Sequence, residues 1–224
     1  MVMSFFRKGE SGLDLIAHRT ITMLADARHS FDLASAAVLS GADPEDVGAD
    51  IRETDDRINQ AEQELRGDLV THVAVHGSFE IGSVLSYTLL IKKIERIGDQ
   101  AKNILDLADE GVSLAGHADT DEMLKIRRQI SKMMTEAAEL LSSENMEQAA
   151  DFRDRCDSLR FELETTIREF MHSEQPGSFA VPRAILYRYW KRIVANLAGV
   201  VASATEPIQH QDYLDAGETD ISDD

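Results

Sequence analysis

Cysteine occurs once, at Cys156, so no internal disulfide can form, which is the pattern of a reducing cytoplasm. Four prolines and 6% aromatic residues speak against a β-sandwich and for helices. No uninterrupted apolar stretch approaches the ~18 residues of a membrane span. The opening Met1-Val2-Met3-Ser4-Phe5-Phe6-Arg7-Lys8 lacks the apolar core and cleavage site of a secretion signal. A soluble, cytoplasmic chain with no direct membrane insertion is therefore expected. Positive charge is also scarce: 23 Lys and Arg face 41 Asp and Glu, a formal net charge of -18. That balance excludes a nucleic-acid binder and disfavours adsorption to anionic lipid. Basic cytoplasmic loops of a transporter remain electrostatically acceptable partners. No Gly-rich phosphate loop occurs, and Cys156 has no catalytic setting.

What is there is enough apolar material, 43% of 224 residues, for a sizeable core. Six helical segments separate at plausible breaks. The first runs from about Gly12 to Ser40 and ends at Ser40-Gly41-Ala42. Asp43, with Pro44 at the first helical position and Glu45 and Asp46 following, caps a second helix to about Val75. His76-Gly77-Ser78 separates it from a third that ends near Gly111. Asp119 and Glu122 form a capping-box-like start for a fourth helix to Leu141. A fifth follows Ser142-Ser143 and lasts to about His172. After Gln175-Pro176-Gly177-Ser178, Pro182 is expected to open a sixth helix to about Thr205. Met23, Met123, Met133, Met134 and Met146 read as core filler.

The layout repeats: Arg52-Glu53-Thr54-Asp55-Asp56 can be laid on Arg153-Asp154-Arg155-Cys156-Asp157, and Glu95-Arg96-Ile97 on Lys191-Arg192-Ile193. An all-α fold of two tandem pseudo-repeated three-helix bundles follows. The expected division is an N-terminal extension at 1–11, a first bundle at 12–115, a second at 116–205 and an acidic, disordered tail at 206–224.

The most informative run is Leu90-Ile91-Lys92-Lys93-Ile94-Glu95-Arg96-Ile97-Gly98-Asp99-Gln100-Ala101-Lys102-Asn103-Ile104. Glu95 and Asp99 lie one turn apart at the border of its apolar face. Like charges at that spacing repel by a few tenths of a kcal/mol unless a cation intervenes. That cation is either a metal, since carboxylate oxygens suit Mg, Mn or Fe, or the nearby Lys92, Arg96 and Lys102. Spacing alone favours the lysines. Asp55 and Asp56 on the preceding helix can approach the same place, with Arg52 and Arg57 at hand to neutralise them. Gly98 costs a helix interior up to ~1 kcal/mol, and close helix contact explains tolerating it.

Ile94-Glu95-Arg96-Ile97-Gly98-Asp99, with Ala101 and Asn103-Ile104, resembles the signature helix of the PhoU family of phosphate-uptake regulators. Asp56-Arg57-Ile58-Asn59 resembles the stretch one helix earlier. The resemblance implies a metal site at Glu95 and Asp99; Asp56, beside Asp55 on the neighbouring helix, reads as a further ligand, and Asn103, two turns after Glu95, as a source of structural hydrogen bonds near the site. The metal implied is a divalent or transition ion: Fe, Mn, Mg or Zn. It implies a non-catalytic regulator whose partners are a phosphate transporter, a membrane sensor kinase, or both, met at the cytoplasmic face, with a homodimer also open. Two departures stand out. The second copy has Lys191-Arg192-Ile193-Val194-Ala195 where the acids would recur, so a second metal site is lost or altered. Phe79-Glu80-Ile81-Gly82 opens the third helix where relatives have Pro and an Asp-Leu-Arg stretch.

Histidines offer two other motifs. His72-Val73-Ala74-Val75-His76 has the spacing of zinc proteases without their glutamate. Glu169-Phe170-Met171-His172 supplies one Glu-x-x-His, whereas di-iron bundles need two. A metal-dependent enzyme or metal-storage bundle using Glu95, Asp99, Glu169 and His172 is the alternative function, and a metal-free scaffold a third. Phe5-Phe6 beside Arg7-Lys8 is expected to be a frayed terminus.

Overall fold

A computed structural model of the chain describes residues 12–143, 145–206 and 208. The expected N-terminal extension, and all of the acidic tail but Glu206 and Ile208, lie outside the described residues. The elements described are α1 (Gly12–Ser40), α2 (Pro44–His76), the 3₁₀ turn Gly77–Glu80, α3 (Ile81–Asp109), α4 (Thr120–Ser142), α5 (Met146–Met171) and α6 (Gly177–Thr205). No strand occurs among the described residues.

The helix boundaries follow local chemistry. Asp43 Oδ1 accepts from the Glu45 N–H at 2.9 Å, and Pro44 occupies the first turn, where its missing N–H costs nothing. Gly41 and Gly77 end α1 and α2 with φ of 71° and 74°, a region closed to most side chains. α5 is capped by Asn145, whose side chain accepts from Gln148 N.

Three expectations change. Asp119 sits at the N-cap of α4, yet its side chain caps nothing. Instead it receives Arg183 Nε at 2.6 Å and Nη2 at 2.9 Å from α6. A fully buried guanidinium needs a carboxylate more than a helix end needs a cap. α6 also starts earlier than Pro182, at Gly177. Pro182 lies inside its second turn, close enough to the helix start that little of the hydrogen-bond ladder is lost. Met23, Met123, Met133 and Met134 are buried as expected, but Met146 stands exposed at the start of α5.

α1, α2 and α3 pack on one another, and α5 packs on α6. α4 leans on α1 and more lightly on α6. The halves meet where α3 runs along α6 and α4 along α1. Arg28 donating to Thr135 and Ser131 donating to Asp32 fix α1 and α4 antiparallel. One continuous hydrophobic core, including Phe31, Ile94, Ile97, Phe152 and Trp190, crosses both halves. At the seam the Lys93 side chain lies across Gly199 of α6, where a Cβ would stand 2.5 Å from Lys93 Cδ.

Candidate functional site

The phase of α2 is set by Ile51, Ile58, Leu65 and Leu69, all buried. Asp55 falls four residues after Ile51 and three before Ile58, so it shares that inward side. Asp56 is a further 100° round and is exposed. The structure therefore turns Asp55 toward α3 and the expected ligand Asp56 to solvent. α2 and α3 approach closely here, because Gly98 offers no side chain: a Cβ on it would sit 3.0 Å from Ile58 Cδ1.

Around that crossing the two helices build a strip of alternating charge. Lys102 Nζ donates to Asp55 Oδ2 at 2.9 Å, and Asn59 Nδ2 donates to the same oxygen at 3.3 Å. Lys92 Nζ lies 2.7 Å from Glu95 Oε2 and 3.6 Å from Glu62 Oε1, while Arg66 reaches Glu62 at 2.8 Å. The contacts at Glu62 Oε1 and Glu95 Oε2 are charge pairs lying off the hydrogen-bonding directions. Asp55, Glu62 and Glu95 are nearly buried, and each is matched by a base.

Asp99 is the acid left over, without an ion pair or side-chain hydrogen bond among the described residues. Partial burial, then the repulsion of Glu95, holds its carboxyl above the ordinary range. Lys92 is raised by its contact with Glu95, and Lys102 by its contact with Asp55.

The lysines named in the sequence as neutralising charges thus occupy the carboxylates. Glu62 was not anticipated, although its spacing from Asp55 and Asn59 along one side of α2 is a legible signal. Asn103 is half-buried and makes no side-chain hydrogen bond with described residues; Asn59 fills the supporting role expected of it. The oxygen donors suit a hard cation. Their arrangement does not fit one as it stands, because ammonium groups lie on them. No group of three or more His, Cys, Asp or Glu among the described residues converges to hold a metal.

The second copy is different in kind. Lys191 Nζ on α6 lies 2.6 Å from Glu164 Oε2 on α5, and the pair holds the Glu164 carboxyl below its ordinary range. In the register that lays the copies together, Cys156 stands where the first bundle has Asp55. Cys156 is wholly buried, and burial pushes its thiol up to about 12, so it stays protonated and inert near neutral pH.

The other motifs separate. His72 Nε2 meets Glu80 Oε2 at 2.7 Å and its ring stacks on His76. Glu169 and His172 are exposed at the end of α5.

Residues 20–108 match the family model of the PhoU domain. The phosphate-specific transport system accessory protein PhoU homolog of Pseudomonas aeruginosa is 26% identical over 141 residues, which cover 60% of this chain. That match spans only 57% of the relative's length. The crystal structure of PhoU from Pseudomonas aeruginosa is similar with a TM-score of 0.73, over 92% of this chain and 98% of that one, at 20% identity. The likeness shows a shared fold. No helix among the described residues is long and apolar enough to cross a membrane.

Proposed function

With residues 20–108 carrying a PhoU domain, we propose that the chain is a non-catalytic regulator of phosphate uptake or phosphate signalling. It works in the cytoplasm by binding a phosphate transporter, a membrane sensor kinase, or both, at their cytoplasmic face. The relative in Pseudomonas aeruginosa is an accessory protein of a phosphate-specific transport system, which supports this direction. The observation that carries the reading is the α2–α3 strip. Half-buried charges matched across two helices, with Asp99 unmatched, are poised to exchange internal partners for those of another protein.

A metal-bearing form of the same surface would use Asp55, Glu95 and Asp99, with Asp56 at its rim. It requires Lys92 and Lys102 to leave their carboxylates, and it would supply positive charge at the contact face. The second bundle, with Lys191 paired to Glu164, would take no part in it.

The test is affinity capture of the tagged chain from solubilised membranes of cells grown in high and low phosphate. Recovery of a phosphate transporter or its sensor kinase, lost with Glu95→Ala plus Asp99→Ala, is the expected result. Retention in the double variant would move the working surface elsewhere. Recovery of neither partner would remove the regulator reading.

A further inference from the structure

The charged strip does not end at Lys92. On α3, Asp99, Glu95, Lys92, Thr88, Leu85 and Ile81 recur at three- and four-residue steps, so they share one side of the helix. On α2, Asp55, Asn59, Glu62, Arg66 and Val70 do the same. The antiparallel pairing of Asp55 with Lys102 and of Ile58 with Gly98 sets the register, which brings Val70 level with Leu85. One half of the strip is therefore acidic and basic, and the other half is apolar. In the apolar half Val70 is 71% exposed, Leu85 47%, Ile81 43%, and Phe79 at the turn 84%.

Grouped apolar exposure beside a polar rim is the pattern of an interaction site. The charges decide what covers it. Asp55, Glu62 and Glu95 are ion-paired, whereas Asp99 makes no ion pair among the described residues and feels Lys102 and Lys92 only at a distance, so one carboxylate of the polar half is open to a basic partner. A second copy carrying a formal charge of -18 would bring repulsion to that half, and an anionic membrane would do the same.

We infer that this strip is the docking groove for an amphipathic protein segment, apolar at one end and basic at the other. Its apolar end covers Leu85, Ile81 and Phe79, and its lysine or arginine meets Asp99. Leu85 and Asp99 are fourteen residues apart on α3, about 21 Å of helix, so a helical partner carries the two features at a similar separation. The inference rests on the reading of this strip as the contact surface and names the chemistry of what it contacts.

The experiment places a benzophenone amino acid at position 85 of the full chain, with a control at the exposed Phe161 of α5, and irradiates living cells. The peptide cross-linked at position 85 is sequenced, synthesised, and titrated against the wild-type chain, Leu85→Lys and Asp99→Asn. The expected segment has an apolar cluster with lysine or arginine about fourteen residues away if helical. Its affinity should fall at least ~10-fold for Leu85→Lys, a loss set by burying an unpaired charge against apolar groups. Asp99→Asn should weaken binding several-fold and flatten its salt dependence. Circular dichroism confirms that the variants fold.

Cross-linking to this chain itself, to lipid or to a segment without basic residues overturns the inference. So does no cross-link, or an affinity unchanged by either variant. A partner with the expected segment but no part in phosphate traffic keeps the groove and removes the phosphate reading. Normal phosphate control in cells carrying Leu85→Lys removes the groove alone.

Discussion

Lys191 on α6 stands 2.6 Å from Glu164 on α5, at the place where the first bundle sets Glu95 of α3 facing α2. The same helix pairing carries an acid in one copy and a base in the other. In the first copy the acids outnumber their partners by Asp99, and in the second the charge is closed internally. The first half thus leaves a carboxylate outside its ion pairs, while the second closes Lys191 on Glu164.

Because the pair is only partly exposed, Lys191→Ala should lower stability by about 1–2 kcal/mol, between an exposed pair and a buried one. Lys191→Glu should cost more, since it sets two carboxylates together. Glu164 is held below its ordinary range, so its contribution is present above about pH 4.3, its unfolded value, and is lost as pH falls through the folded one. Urea midpoints of wild type and Lys191→Ala should converge below about pH 4.

Gly98 and Gly199 are both crossing points, but they should respond differently to alanine. At Gly98 the new Cβ meets the end of the flexible Ile58 at 3.0 Å, and the ~1 kcal/mol helix gain offsets the squeeze. Gly98→Ala should be near neutral, and Gly98→Leu should cost about 1–3 kcal/mol. At Gly199 the Cβ would stand 2.5 Å from Cδ, 2.8 Å from Cε and 2.9 Å from Nζ of buried Lys93, so the whole side chain must move. Gly199→Ala should lower the melting temperature by more than Gly98→Ala does, and calorimetry decides it.

Asp119→Asn would leave the buried Arg183 charge without its carboxylate, and about 2–4 kcal/mol should be lost at pH 7. Arg183 holds the Asp119 carboxyl below its ordinary range. The stabilisation is therefore present above about pH 3.9 and disappears as pH falls through the folded value. Denaturation of both proteins across pH 2 to 7 should show the two curves meeting at the acid end.

Lys92→Ala with Lys102→Ala removes the ammonium groups from Asp55, Glu62 and Glu95, beside which Asp99 already lies without an ion pair. The apo double variant should be less stable than wild type, and Mn²⁺ should restore it by relieving carboxylate repulsion. Titration calorimetry should find tighter Mn²⁺ binding in the double variant than in wild type. Equal affinity in both would mean that the lysines do not guard the carboxylates.

The sequence by itself determined the helices, because caps, breaks and apolar periodicity act over one or two turns: Asp43 with Pro44, Gly41 and Gly77 all appear where they were expected. It also determined the Glu95–Asp99 helix, whose close approach to α2 Gly98 announces. That Asp55 and not Asp56 faces α3 was latent in the phase of Ile51 and Ile58. What crosses between helices was decided only by the tertiary structure. Asp119 serves Arg183 from 64 residues away instead of its own helix end, Lys102 reaches back 47 residues to Asp55, and Lys191 finds Glu164 on α5. The reason is that a buried charge takes whichever counter-charge packing brings near it, and packing is a property of the assembled core.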